Sequence, residues 1–275
     1  MTDIVARDMY ALLFNGLSHT EAAALSIWSP LNAAGTAVAW KVPAVSWATV
    51  GVMIDDDASP SSAFVVDSAM PTSVTLTIPQ NAPGESGGAC ELSAEWIGCT
   101  TSRTTTVSAG AAVDDTGDFL FTRNSSLLLV AKANPFLSAT VTITNGASLN
   151  PSAAAEAPGI TMGPITASGS VTMLADMVTN GNPTTGEGLP DALLDSLETT
   201  TQASKQMVLH FKVSSSFDMK IPAVITGPPS WSDVGGVNAV SFNFTTGGDV
   251  EGAGALAPEV TTLGGTSASI FYKAP

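Results

Sequence analysis

The sequence is short of charge, and of positive charge above all. Only 12% of its 275 residues are charged, about half the fraction of an ordinary globular chain. Twenty-four acids stand against 9 Lys and Arg, for a net charge of −15. No cluster of basic residues occurs, which argues against sequence-specific or clamping nucleic-acid binding. Long apolar runs are missing too. Stretches such as Leu127–Ala131 are far too short to cross a bilayer, so no membrane partner is expected. The opening MTDIVARDMYALLFNGL has early acids and no extended apolar core, so a secretory signal is not supported. Two cysteines and two distant histidines, His19 and His210, make a poor structural zinc site, and no metal or cofactor is expected. If the segment from Cys90 to Cys99 is helical, its ends lie roughly 13 Å apart. That exceeds disulfide reach, and two reduced thiols are expected.

Small residues fill the place of charge. Serine, threonine, alanine, 25 glycines and 17 prolines sit between short apolar runs, with 44% hydrophobic residues in all. This composition suits an all-β chain with many turns. Ser73-Val74-Thr75-Leu76-Thr77-Ile78 alternates strictly between apolar and hydroxyl residues, the period of a strand with one buried face. Further strands are expected at AVAWKVPAVSWATVGVMI from Ala37, at AFVVD, and at 119–129, 137–144, 169–177, 205–213 and 237–245. In Lys205–Val213, Met207, Leu209, Phe211 and Val213 share one side, opposite Val208, His210 and Lys212. Val240, Phe242 and Phe244 alternate in the same way. Asn145-Gly146 is a strong hairpin-turn dipeptide.

Helices are expected in three places. Met9, Leu12 and Leu13 have helix-like spacing near the start. Leu92 and Trp96 stand four apart in ACELSAEWIG, and Leu189, Leu193, Leu194 and Leu197 share a face after Pro190. The expected organisation is an N-terminal arm or short helix over 1–36 and a first β domain over 37–144, with its helix near 89–98. A linker or long loop follows over 145–164, then a second β domain over 165–275 with its helix near 189–199. SVTLTI, a Gly-rich loop, ACELSAEWIG and TTSRTTTV echo SVTMLA, a longer loop, DALLDSLE and TTTQASKQMVL. Either a duplication or the biased Ser/Thr/Val composition accounts for that echo.

One motif invites a chemical reading. Gly84-Glu85-Ser86-Gly87-Gly88 fits the G-x-S-x-G of a nucleophile elbow and resembles the glycine-flanked serine of trypsin-like proteases. The trypsin-like order fails, because only 85 residues precede Ser86 and His19 lies near the start. The order Ser86, an acid such as Asp176 or Asp191, then His210 is nominally present. An elbow needs a strand running straight into the serine, however, and Pro79–Pro83 intervenes. Alternating βα units are missing as well, and a Ser86 hydrolase is left as the remote alternative to a turn. Asp55–Asp57 lacks calcium-loop spacing, and Asp114–Asp118 fits a tight turn. Nothing singles out a carboxylate pair for glycoside hydrolysis. The tryptophans at 28, 40, 47, 96 and 231 suit core or interface packing. No catalytic, cofactor-binding or metal residue is assigned.

The unit SGSVTMLADM, a Gly-rich loop, LPDALLDSL, KQMVLHFKVSS and VNAVSFNFTTGGDV resembles the tail tube (major tail) proteins of long-tailed bacteriophages. The likeness covers about residues 160–250 best, and 70–110 through the internal echo. It is architectural, since that family has no short diagnostic motif. The resemblance implies a mainly β fold: β-sandwich or barrel-like sheets, each flanked by a short amphipathic helix, as two duplicated tube-type domains if the echo is a duplication. It implies a structural virion protein, not an enzyme, assembled in the host cytoplasm into the tail. Subunits would join sheet edges into a ring, hexameric or trimeric with duplicated domains, and rings would stack into a hollow tube that passes DNA. Sheath, tape measure and tail terminator proteins are the further partners it implies. Loops 52–63 and 181–189, or the N-terminal arm, would bridge successive rings. The charge of −15 then either lines a lumen that repels phosphates or keeps an abundant protein soluble. Another virion or surface β-sandwich, a capsid decoration or adhesin-like binding module, is the competing reading.

Overall fold

The computed structural model describes residues 3–14, 19–22, 25–28, 48–54, 62–79, 88–104, 126–129, 132–134, 136–150, 159–174, 206–213, 217–246 and 259–263. The chain is mainly β, as its alternation leads one to expect. One helix, α1 (Asp3–Phe14), precedes β1 (His19–Ala22), β2 (Leu25–Trp28), β3 (Ala48–Ile54), β4 (Ser62–Ile78) and β5 (Glu91–Thr104). Then come β6 (Ser126–Leu129), β7 (Lys132–Asn134), β8 (Phe136–Thr144), β9 (Ser148–Asn150), β10 (Gly159–Thr161) and β11 (Thr166–Leu174). The last are β12 (Gln206–Lys212), β13 (Asp218–Ile225), β14 (Ser230–Val234), β15 (Val237–Thr246) and β16 (Glu259–Leu263).

Apart from the β9–β10 hairpin, these strands form one antiparallel sheet of 14 strands. Its first stretch runs β5-β4-β8-β11-β15-β14, and its second runs β7-β6-β12-β13-β16-β2-β1. β13 joins them: its body lies between β12 and β16, while Ala223–Ile225 pairs with the end of β15. Inward residues of both stretches meet in one buried cluster, a sandwich-like packing. Val74, Leu76 and Ile78 of β4, Val141 and Ile143 of β8, and Phe242 and Phe244 of β15 come from the first. Leu209 and Phe211 of β12 and Met219 and Ile221 of β13 come from the second. Strands from both sides of 145–164 therefore share one ladder and one core.

α1 caps this core. Ala6, Met9, Tyr10 and Leu13 recur at i, i+3, i+4 and i+7 and are all buried, the stripe of a helix packed along one face. Tyr10 stacks on Phe217, with ring centroids 5.9 Å apart. Its hydroxyl is buried without a hydrogen-bond partner among the described residues.

Three sequence expectations change. The segment near 89–98 is strand β5, not a helix. Leu92, Ala94 and Trp96 turn to the core while Glu91, Ser93 and Glu95 are exposed, which is a period of two. A spacing of four is even, so Leu92 and Trp96 fit a strand as well as a helix. Asn145-Gly146 does not close a hairpin, because the neighbours of β8 are β4 and β11. Gly146 takes a left-handed turn, φ 58°, where the chain leaves the sheet and passes close to Gly163. Lastly, the expected linker contains β9 paired with β10. The helix expected near 189–199 and the loop 181–189 lie outside the described residues.

Asn145 is the one buried polar side chain among the described residues. Its Nδ2 donates to the carbonyls of Leu13, 3.0 Å, and Pro71, 2.9 Å. Its Oδ1 accepts from the N–H of Ala147, and its own N–H donates to Thr72 O. The last turn of a helix leaves carbonyls unpaired, and a proline-disturbed strand does likewise. Asn145 satisfies one of each and ties α1 to the bulge of β4.

Candidate functional site

β4 positions the site. It is 17 residues long, enough to serve two neighbours in turn on one side. Ser62–Ala69 pairs with β3, and Ser73–Ile78 pairs with β8. Pro71 sits at the handover, where the register with β5 slips between Pro71 and Ser73; proline offers no N–H to a ladder, and a bulge accommodates it. On its other side β4 pairs with β5 nearly from end to end. Among the described residues, the 14-residue β5 has no second ladder partner.

The opposite end of this stretch is built by a tight hairpin. Val234 pairs with Val237 across Gly235-Gly236, whose φ values are 62° and 83°, as a two-residue turn with both residues left-handed requires. Asp233 Oδ1 accepts the N–H of Gly236 at 2.9 Å. β14 is exposed through most of its length and, among the described residues, pairs with β15 alone. Sequence reasoning missed β14, although Gly-Gly between WSDV and VNAV was the available signal.

Between these edges the outward face is a carpet of hydroxyls. Reading across the strands, one row is Glu91, Thr77, Thr140, Ser170 and Asn243. The next is Ser93, Thr75, Thr142, Ser168 and Thr245. Several hydroxyls satisfy one another across strands: Thr75 with Thr142 at 2.8 Å, Thr144 with Thr166 at 2.9 Å, Thr172 with Ser241 at 2.8 Å. Glu95 accepts the hydroxyl of Ser73 at 3.3 Å. With the neighbouring row of Glu95, Ser73, Thr144 and Thr166, Glu91 and Glu95 are the charged residues of these rows, and no Lys or Arg stands in them. Such a face offers a polyanion no ion pair, and part of its hydrogen-bonding capacity is already used internally.

Lysines lie instead on the second stretch. Lys212 and Lys220 are exposed on the outer side of β12 and β13, beside His210 and Asp218. His210 Nε2 stands 3.1 Å from Asp218 Oδ2. Asp218 Oδ1 is buried with no hydrogen-bond partner among the described residues. The structure thus gives His210 a carboxylate, but not one the serine reading had named. Ser86, Asp176, Asp191, Asp55–Asp57 and Asp114–Asp118 lie outside the described residues.

Cys90 is buried against the core, and burial pushes its thiol from the ordinary 9.0 up to about 11. With Cys99 on extended β5, nine residues span roughly 30 Å. An intrachain disulfide between the two is out of reach. Burial also raises the Tyr10 hydroxyl above its usual 10.0. Both groups favour the neutral form in the folded chain, so their contribution is complete below pH 9 and falls as pH rises. Urea midpoints should hold to pH 9 and then drop toward pH 11, Cys90 accounting for on the order of 2 kcal/mol. Cys90→Ala should flatten the loss between pH 9 and 11 and leave that above pH 10 due to Tyr10.

No group of three or more His, Cys, Asp or Glu that could hold a metal occurs among the described residues. No helix among them is long and apolar enough to cross a membrane. No protein-family model matches the sequence, and no curated protein matches it.

Proposed function

We propose that the chain is a structural subunit that joins copies of itself through sheet edges into rings, and that the rings stack into a hollow tail tube through which phage DNA passes. The observation that carries this reading is the wide antiparallel stretch from β5 to β14. Its outward face is hydroxyl-lined and bears no Lys or Arg in its rows, and each of its lateral strands has a single ladder partner among the described residues. An unpaired strand edge is a template for another strand, and proteins that do not use one normally blunt it. Rows without Lys or Arg let a phosphate backbone pass without counterion-releasing contacts. In this reading the function is geometric, with no catalytic role and no cofactor, and the protein belongs to the virion tail.

The test is assembly. Purified protein, concentrated and viewed by negative-stain electron microscopy, should form rings or tubes of uniform bore. Persistence as a monomer at high concentration would refute the proposal, and a monomer or trimer that binds a shell or glycan would favour the decoration or adhesin reading.

A further inference from the structure

Two large apolar side chains are exposed among the described residues, Leu149 at 41% and Trp231 at 58%. Trp231 belongs to the large sheet, at its β14 end, and Leu149 to the separate β9–β10 pair. Leu149 is on β9, which runs close to β5, and Trp231 is on β14. Trp231 pairs with Val240, a fully buried residue of the core face. Opposed residues of an antiparallel pair project to the same side, so Trp231 lies on the core side, beyond the rim of the core. At the other end Leu92, Ala94 and Trp96 of β5 also face the core side and are only partly buried. On the same side of the sheet, β5 thus presents a partly buried apolar strip and β14 an exposed tryptophan, each at the last strand of the ladder among the described residues.

The directions of the strands match as well. β5, β4, β8, β11, β15 and β14 alternate antiparallel at each step. Across six strands the two outermost therefore run in opposite directions. A copy placed by rotation about an axis along the strands keeps its strand directions, so its β5 meets this β14 antiparallel, the pairing every other strand of the sheet makes. Such a contact is heterologous, using different patches on the two copies, and repeats until a ring closes.

Resting on the tube reading above, we infer that the ring joint is β14 of one copy paired with β5 of the next. Trp231 packs there against the Leu92–Trp96 strip, and the hydroxyl faces of neighbouring copies merge into one continuous lining.

Cysteine cross-linking reads this joint directly. Ser93 and Ser232 project to the hydroxyl side, opposite Thr75 and Ala239. Within one chain they are five strand spacings, roughly 24 Å, apart, too far for an internal disulfide. In a Cys99→Ser background, Ser232→Cys is combined in turn with Glu91→Cys, Ser93→Cys and Glu95→Cys, which covers three registers two residues apart. Oxidation of the assembled protein should give a ladder of linked multimers in at least one combination and none in the single variants. Trp231→Ala should raise the concentration needed for assembly about tenfold or more with little change in the melting temperature of the monomer, since the side chain is mostly exposed. Rings that form while all three combinations stay unlinked, or while Trp231→Ala assembles at the wild-type concentration, overturn the joint and leave the tube standing. A linked dimer from Ser93→Cys alone overturns it in favour of a symmetric β5–β5 contact. A wild-type protein that never assembles overturns the joint and the tube together.

Discussion

Gly169→Ala should cost about 3 kcal/mol or more and leave much of the chain unfolded or insoluble, the upper end of overpacking costs, because the clash is with backbone. Gly169 is in the middle of β11, flanked by Val141 of β8 and Phe244 of β15. A Cβ built there would run into the carbonyl oxygen of Thr140 and come within 2.8 Å of Phe244 Cζ. The ring can swing aside. The Thr140 carbonyl belongs to the central ladder and cannot move without breaking β8–β11 pairing. Phe244 covers the glycine and packs on Phe211 at 5.9 Å, so the missing side chain is replaced by an aromatic one from the next strand. Two variants separate the causes. If the ring were the obstacle, Phe244→Leu would relieve Gly169→Ala; because the obstacle is backbone, the double variant should be no more stable than Gly169→Ala. Urea denaturation followed by circular dichroism measures both.

How far this arrangement was legible in the sequence depends on the range of the interaction. Alternation is local, and it marked β4 at Ser73–Ile78, the two sides of β12 and the Val240–Phe244 face of β15 before any partner was known. The same alternation fixed which residues enter the core, because burial follows the pleat. β5 failed for a definable reason. Its apolar residues at 92 and 96 satisfy both periods, and the deciding letters were Ala94, a weak hydrophobe, and the polar Ser93 and Glu95 between them. β14 failed because it is exposed on both faces and carries no alternation. The candidate site is less legible than the core, since an open edge is a property of backbone groups and of sheet order. Which strand ends up outermost depends on pairings such as Ser73 with Thr144 and Thr166 with Thr144, made between segments far apart in the chain. The hydroxyl face lies between these cases: its Ser/Thr letters are plain in SVTLTI and SATVTIT, but only the register shows that they form one surface.

Asn145→Ala should destabilise the fold by about 2–4 kcal/mol and should loosen α1 before the rest. Asn145 is fully buried, and truncating it strips partners from the Leu13 and Pro71 carbonyls and from the Ala147 N–H at once. Each buried polar group left unpaired costs about 1–3 kcal/mol, and water entering the cavity recovers part of the sum. Asn145→Asp separates hydrogen bonding from size. The shape is nearly unchanged, but a carboxylate cannot donate, and it would set negative oxygen against two carbonyl oxygens. Its penalty at neutral pH should therefore equal or exceed that of alanine, and it should shrink in acid, where the protonated group regains one donor. Hydrogen exchange gives the regional readout. The amides of α1 should lose protection in either variant at conditions where β11 and β15 keep theirs, because the Leu13 bond is the polar tie between the helix and the turn after β8. If α1 and the sheet open together, Asn145 is holding up the sheet at the Pro71 bulge and not the helix. A loss below about 1 kcal/mol in Asn145→Ala would mean that the three orphaned groups find other partners.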